Sequence, residues 1–152
     1  DGKPEPVRMD EPHPVPNDDG GVRWFSPGRI FEPTAPQSGG SGMAGTASDL
    51  MLMLEALAGD FLKPATRQRA YTPQTDCKMD RPGEVFGAIG AVVTDGAASG
   101  WHRTGLVEWG GVWGNNWIID PGSNTHVVVY TNTMKEGCNG PFRDEVRDAV
   151  FA

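Results

Sequence analysis

Glu108-Trp109-Gly110-Gly111-Val112-Trp113-Gly114-Asn115-Asn116-Trp117-Ile118-Ile119-Asp120-Pro121 is the stretch whose reading decides the fold. Small residues at its start leave backbone exposed, Trp117-Ile118-Ile119 is apolar and β-prone, and Asp120-Pro121 with Gly122 and Asn124 opens a turn. The pattern predicts a strand running into a hairpin. Its return partner is Thr125-His126-Val127-Val128-Val129-Tyr130-Thr131, a β-branched run reached across a loop of about four or five residues. Adjacent glycines in a strong strand lose packing and cost entropy, so Gly110 and Gly111 call for close approach by a ligand or another backbone. A plain β-bulge is the alternative.

The chain has 152 residues, enough for one domain, and a net charge of -7. No basic patch appears, which argues against nucleic acid and anionic membrane as partners. No apolar run approaches the roughly 18 residues a bilayer span needs. Cys77 and Cys138 permit one disulfide without requiring it, buried free thiols being the other reading.

Upstream, residues 1–37 form an extended acidic region with prolines at 4, 6, 12, 14, 16, 27, 33 and 36, a composition that sustains neither a helix nor a central strand. Trp24-Phe25 and Ile30-Phe31 are its candidate anchors. His13 with Asp10, Glu11, Asp18 and Asp19 matches no calcium or zinc spacing, so no metal is expected. Residues 38–84 read as a helical segment. Thr46 caps a helix and Asp49 answers it, while Leu50, Met53, Leu54 and Leu57 share one face and Gly59 stops it. Gly40-x-Gly42-x-x-Gly45 imitates a dinucleotide fingerprint, but no strand precedes it and no β-α-β pattern follows. No cofactor is expected.

Pro64 to Tyr71 reads as a short helix, and Thr72 to Gly83 as a polar loop. Residues 85–152 read as antiparallel strands plus a C-terminal helix: Val85 to Thr94 one strand, Trp101 to Val107 the start of its return, then the hairpin above. The helix, Phe142 to Phe151, places Phe142, Val146, Ala149 and Val150 on one face, with Arg143, Asp144, Glu145, Arg147 and Asp148 on the other. The class is α+β.

These stretches together resemble the C-terminal half of a serine β-lactamase-like hydrolase, most closely the family VIII carboxylesterases related to class C β-lactamases. The Gly-rich lead into Thr46-Ala47-Ser48-Asp49 resembles the family's helix, Val85 to Val93 its Gly-containing strand, and Trp109-Gly110-Gly111 the motif that replaces Lys-Thr-Gly in these esterases. Trp117-Ile118-Ile119-Asp120-Pro121, Val127 to Asn132 and Gly140-Pro141 to Val150 follow at family-like spacing. The likeness covers residues 38 to 152.

The resemblance implies acyl transfer through a serine ester, with Ser-x-x-Lys supplying nucleophile and base. The residues three after Ser26, Ser38, Ser41, Ser48, Ser99 and Ser123 are Arg29, Ser41, Ala44, Met51, His102 and His126, so this chain carries no such motif. Arg103-Thr104-Gly105 lies too far before Asp120-Pro121 to replace Trp-Gly-Gly, and Tyr130-Thr131-Asn132 ends a structural strand. The resemblance therefore implies a fold completed by an N-terminal half, either a separate chain or a segment outside this one, and a start at Asp1 suits a cut in an exposed loop. Within this half it implies that the Val112 backbone N–H helps hold the oxyanion and that Trp109, Gly110, Gly111 and Trp113 line the substrate pocket. His102 and His126 are expected to be ordinary sheet residues. The implied substrate is a small neutral carboxylic ester. Alternatives are a non-catalytic β-lactamase-like binding or scaffold module and a β-lactamase-like or D-amino peptidase-like amide hydrolase.

Overall fold

The computed structural model describes residues 14–16, 19–24, 28, 31–40, 43–138 and 140–151. His13 with its nearest acidic residues, and Gly42 of the glycine motif, lie outside them. Strands β1 (Pro14–Pro16) and β2 (Val22–Trp24) pair antiparallel as a separate two-stranded ladder. Proline is tolerated there because neither strand has neighbours on both sides. Of the expected anchors, Trp24 and Phe31 are largely exposed, and Phe25 and Ile30 lie outside the described residues.

Helix α1 (Ala47–Ala58) is entered as its sequence dictates. Thr46 Oγ1 accepts from the Asp49 N–H at 3.1 Å and Asp49 Oδ2 accepts from the Thr46 N–H at 3.2 Å, closing a capping box. The Thr46 bonds hold the Asp49 carboxyl below its ordinary range. Leu54 is fully buried and Leu50 and Leu57 half-buried, whereas Met53 on the same predicted face is exposed. Helix α2 (Pro64–Ala70) has proline in its first turn, and its Arg67 donates back to the Ala58 and Gly59 carbonyls at the end of α1.

A six-stranded antiparallel sheet follows in chain order: β3 (Pro73–Lys78), β4 (Glu84–Gly87), β5 (Ala91–Val93), β6 (Val107–Gly110), β7 (Asn115–Asp120) and β8 (Thr125–Tyr130). Sequence reasoning expects three or four of these. Thr72 to Gly83 reads as a loop in the sequence, yet half of it is edge strand β3, whose polar residues need only one paired side. Val85 to Thr94 was a predicted single strand, yet Gly87 donates to the Gly90 carbonyl at 2.8 Å and folds it into the β4–β5 hairpin. The short helix α3 (Gly96–Ser99), capped by Asp95, then turns the chain toward β6. His102 sits past it with φ +57°, in a turn rather than in the sheet.

The β7–β8 hairpin matches its expectation, with Trp117 opposite Val128 and Ile119 opposite His126. Asp120 fixes the turn by accepting from the Gly122 N–H at 2.9 Å, the Ser123 hydroxyl at 2.6 Å and Arg103 Nη1 at 2.7 Å. Burial works against its charge, but these bonds hold the carboxyl below its ordinary value of 3.8. A carboxylate with a depressed folded-state pKa adds stability above the unfolded value and loses it as pH falls through the folded one. Asp120→Asn in the completed protein should therefore flatten the acid limb of the stability–pH curve below about pH 4, with a loss near 1–3 kcal/mol at neutral pH. Urea midpoints across pH 2 to 7 check it; an unchanged acid limb counts against it.

The core gathers Val93, Trp101, Leu106 and Ile118, with Val127 and Phe151 packed on it. Helix α4 (Pro141–Phe151) covers this region but is rotated from its predicted orientation. The inward stripe is Arg143, Arg147 and Phe151, spaced four residues apart. Both arginines lie over the Trp101 ring, at 5.7 and 5.8 Å, and Phe151 meets it edge-on at 5.9 Å. Phe142 and Val146 are only half-buried, and Ala149 and Val150 are exposed. The cause is a pair of buried carboxylates, Glu84 and Glu108, that draw Arg143 inward.

Candidate active site

The organising stretch is two strands and a turn, not one strand. β6 runs to Gly110 and pairs with β7, Trp109 opposite Trp117 and Gly110 opposite Asn116. Between them Gly114, at φ +93°, donates to the Gly111 carbonyl at 3.0 Å, and the Gly111 N–H donates to the Asn115 carbonyl at 2.7 Å. A four-residue turn of this kind needs glycine where φ is positive. Neighbouring β5 pairs only with Val107 and Glu108, so its ladder stops short of Trp109 and Gly110.

The glycines also answer to a second backbone. A Cβ on Gly110 would collide with the Gly137 carbonyl, and one on Gly137 with the Asn115 backbone. The segment after β8 therefore lies directly on the turn. Thr131 donates its N–H to the Gly114 carbonyl at 2.9 Å, and Lys135 donates its N–H to the Val112 carbonyl at 2.9 Å. These bonds fix the peptide planes on both sides of Val112 and leave the Val112 N–H outside the network. Of the predicted pocket residues, Trp109, Gly110, Gly111, Val112 and Trp113 thus occupy one strand end and its turn, all half-buried.

Trp109 packs against Phe86 at 5.4 Å between ring centres, and the Arg81 guanidinium lies 5.6 Å from its ring. Arg81 and Arg143 share Glu84 and Glu108, and Asn116 Nδ2 donates to Glu108 at 3.1 Å while Trp101 Nε1 donates to Glu84 at 3.3 Å. Burial and the neighbouring Glu108 raise the Glu84 carboxyl, against the pull of both arginines. Sequence reasoning missed this cluster. Its one signal was Glu108 between Val107 and Trp109, a charge in an otherwise apolar strand start.

Other sequence features stay apart from the turn. Arg103 of Arg103-Thr104-Gly105 is tied to Asp120, and Tyr130 lies exposed at the end of β8, its hydroxyl raised by burial and by Asp49. His126 is a β8 residue as expected, with Nε2 buried and without a hydrogen-bond partner among the described residues. The permitted Cys77–Cys138 bridge turns on the Cys77 side chain, which lies outside those the structure describes. Among the described residues no group of three His, Cys, Asp or Glu is placed to hold a metal ion, and no helix is long and apolar enough to cross a membrane. A cleft of about 470 Å³ between α1 and β8 is lined by Ala47, Ser48, Met51, Leu52 and Val128.

An antiparallel sheet with a helix closing one face and a Trp-Gly-Gly turn at a strand end defines a β-lactamase-type fold, and the chain belongs to the β-lactamase family, whose model matches residues 2–150. It is 40% identical over 159 residues to esterase EstB of Burkholderia gladioli, covering all of this chain and 41% of that protein. Among solved structures it is similar to EstCE1, a hydrolase with promiscuous acyltransferase activity, at 33% identity and a TM-score of 0.80, again over the whole chain and 42% of the neighbour. The chain thus spans about two fifths of the length of these esterases, consistent with the C-terminal part of a family VIII esterase.

Proposed function

We propose that this chain is the C-terminal part of a serine ester hydrolase that works through an acyl-enzyme on small neutral carboxylic esters. The observation that carries the reading is the Val112 peptide, held rigid by the Gly111–Gly114 turn and the Lys135 bond, none of which uses its own N–H. A preorganised donor of that kind suits the developing charge on a carbonyl oxygen. Ser-x-x-Lys comes from the N-terminal half, which also covers the open edge of β8 and the cleft beside α1. Co-expression with that half should give a cooperatively unfolding protein that hydrolyses a short-chain nitrophenyl ester, and residues 1–152 alone should do neither. An isolated chain that unfolds cooperatively and turns over ester would overturn the proposal.

Trp109 stands where β-lactamases keep a lysine, so the pocket offers no free cation to a substrate carboxylate. Trp109→Lys in the completed enzyme should shift preference toward a carboxylate-bearing ester by about tenfold relative to a neutral one, the scale of one partly desolvated charge contact. Paired kcat/KM measurements decide it, and an unchanged ratio rejects the assignment.

A further inference from the structure

Arg81, from the β3–β4 connection, reaches two very different neighbours. Its guanidinium lies 5.6 Å from the centre of the Trp109 ring, within range of a cation–π contact. The same group is ion-paired through Nε to Glu84 Oε2 at 3.2 Å and through Nη1 to Glu108 Oε1. Arg143 of α4 holds those two carboxylates from the other side, at 2.9 and 3.0 Å. Two arginines face the two buried glutamates, and Asp144, 3.4 Å from Arg143 at the surface, is shared with Arg147. Both carboxylates and most of Arg143 are buried, whereas a quarter of the Arg81 side chain is exposed. Arg81 is therefore the end of the cluster that comes to the surface, and it does so against Trp109.

Resting on the ester-hydrolase reading, we propose that Arg81 is the positioning residue of the Trp109 wall and that Glu84 and Glu108 set the substrate class by cancelling its charge. The planar guanidinium, gripped edgewise by two carboxylates, has one orientation left and holds the indole in it. Substrate meets an aromatic wall backed by a neutral pair, which favours acyl esters without a carboxylate. Free of its partners, Arg81 would place a cation directly behind that wall.

The test uses the completed protein labelled with 5-fluorotryptophan, to whose fluorine resonances this chain contributes five, the one lost in Trp109→Phe being the one in question. Glu84→Gln leaves one arginine in excess and should raise the kcat/KM ratio of a carboxylate-bearing ester over a neutral one by roughly tenfold. Adding Arg81→Met restores one arginine to one glutamate, should return the ratio to its starting value and should move the Trp109 resonance more than any other. In that double variant KM for a neutral ester should rise roughly fivefold with kcat within about twofold, the size of a partly desolvated cation–π contact. Arg81→Lys, which keeps the charge and loses the planar fork, should reproduce the resonance shift. A Trp109 resonance unmoved by Arg81→Met, or a substrate ratio unmoved by Glu84→Gln in a folded protein, overturns the proposal. Absence of ester hydrolysis in the completed wild-type protein rejects the hydrolase reading instead, and the resonances still decide whether Arg81 positions Trp109.

Discussion

Val112→Pro in the completed enzyme should lower kcat/KM for a short acyl ester by more than a hundredfold while the protein still folds. Proline has no N–H, and loss of one oxyanion donor removes about 3 kcal/mol of transition-state stabilisation, which at about 1.4 kcal/mol per decade is two powers of ten. The fold should tolerate the change. Val112 holds the second position of the Gly111–Gly114 turn, where proline is favoured, and the residue before it is a glycine. Its carbonyl, the group the structure uses, still accepts from Lys135. Val112→Ala keeps the N–H and should stay near wild-type turnover. A Val112→Pro enzyme with a normal unfolding transition and unreduced turnover would remove Val112 from the oxyanion site.

The parts of this fold legible in the sequence are those decided locally. Thr46 and Asp49 cap α1 through side chains three residues apart, and Asp120-Pro121 opens the β7–β8 turn through bonds to Gly122 and Ser123. What escaped depends on distant chain. Gly110 was legible as a close-approach glycine, but nothing near it in sequence names Gly137 as the backbone it meets. The Gly87–Gly90 turn was hidden by the apolar residues around it, which read as one continuous strand. Helix α4 was placed about one residue out of phase, because apolar periodicity favours Phe142 and Val146 whereas the sheet presents carboxylates that select Arg143, and Arg147 lies over the Trp101 ring. Trp109 to Trp113 were therefore singled out as candidates by resemblance and spacing, and Arg81 behind them was not.

Arg143→Ala should destabilise the completed protein by about 3–5 kcal/mol at neutral pH, because removing one partner of a buried ion cluster strands charge in a low-dielectric interior. Glu84 and Glu108 would then share Arg81 alone, and Trp101 would lose one of its two stacked cations. Set against a typical stability of about 5–15 kcal/mol, that loss is large enough to leave a marginal protein. The pH dependence gives the sign. Burial and Glu108 already raise Glu84 above its ordinary value of 4.5, against the pull of Arg81 and Arg143. A carboxyl whose folded pKa lies above its unfolded one stabilises most below the unfolded value and loses that contribution as pH rises through the folded one. Removing Arg143 raises the folded value further, so the variant's deficit should be greatest near pH 7 and shrink as pH falls toward about 4.5. The charge-balanced pair Arg143→Met with Glu84→Gln, which leaves Arg81 to Glu108, should recover much of the loss. Urea unfolding of the three proteins at pH 7 and pH 5 measures all of this; a deficit below about 1 kcal/mol at pH 7, or one that grows on acidification, would show that the carboxylates under α4 do not depend on Arg143.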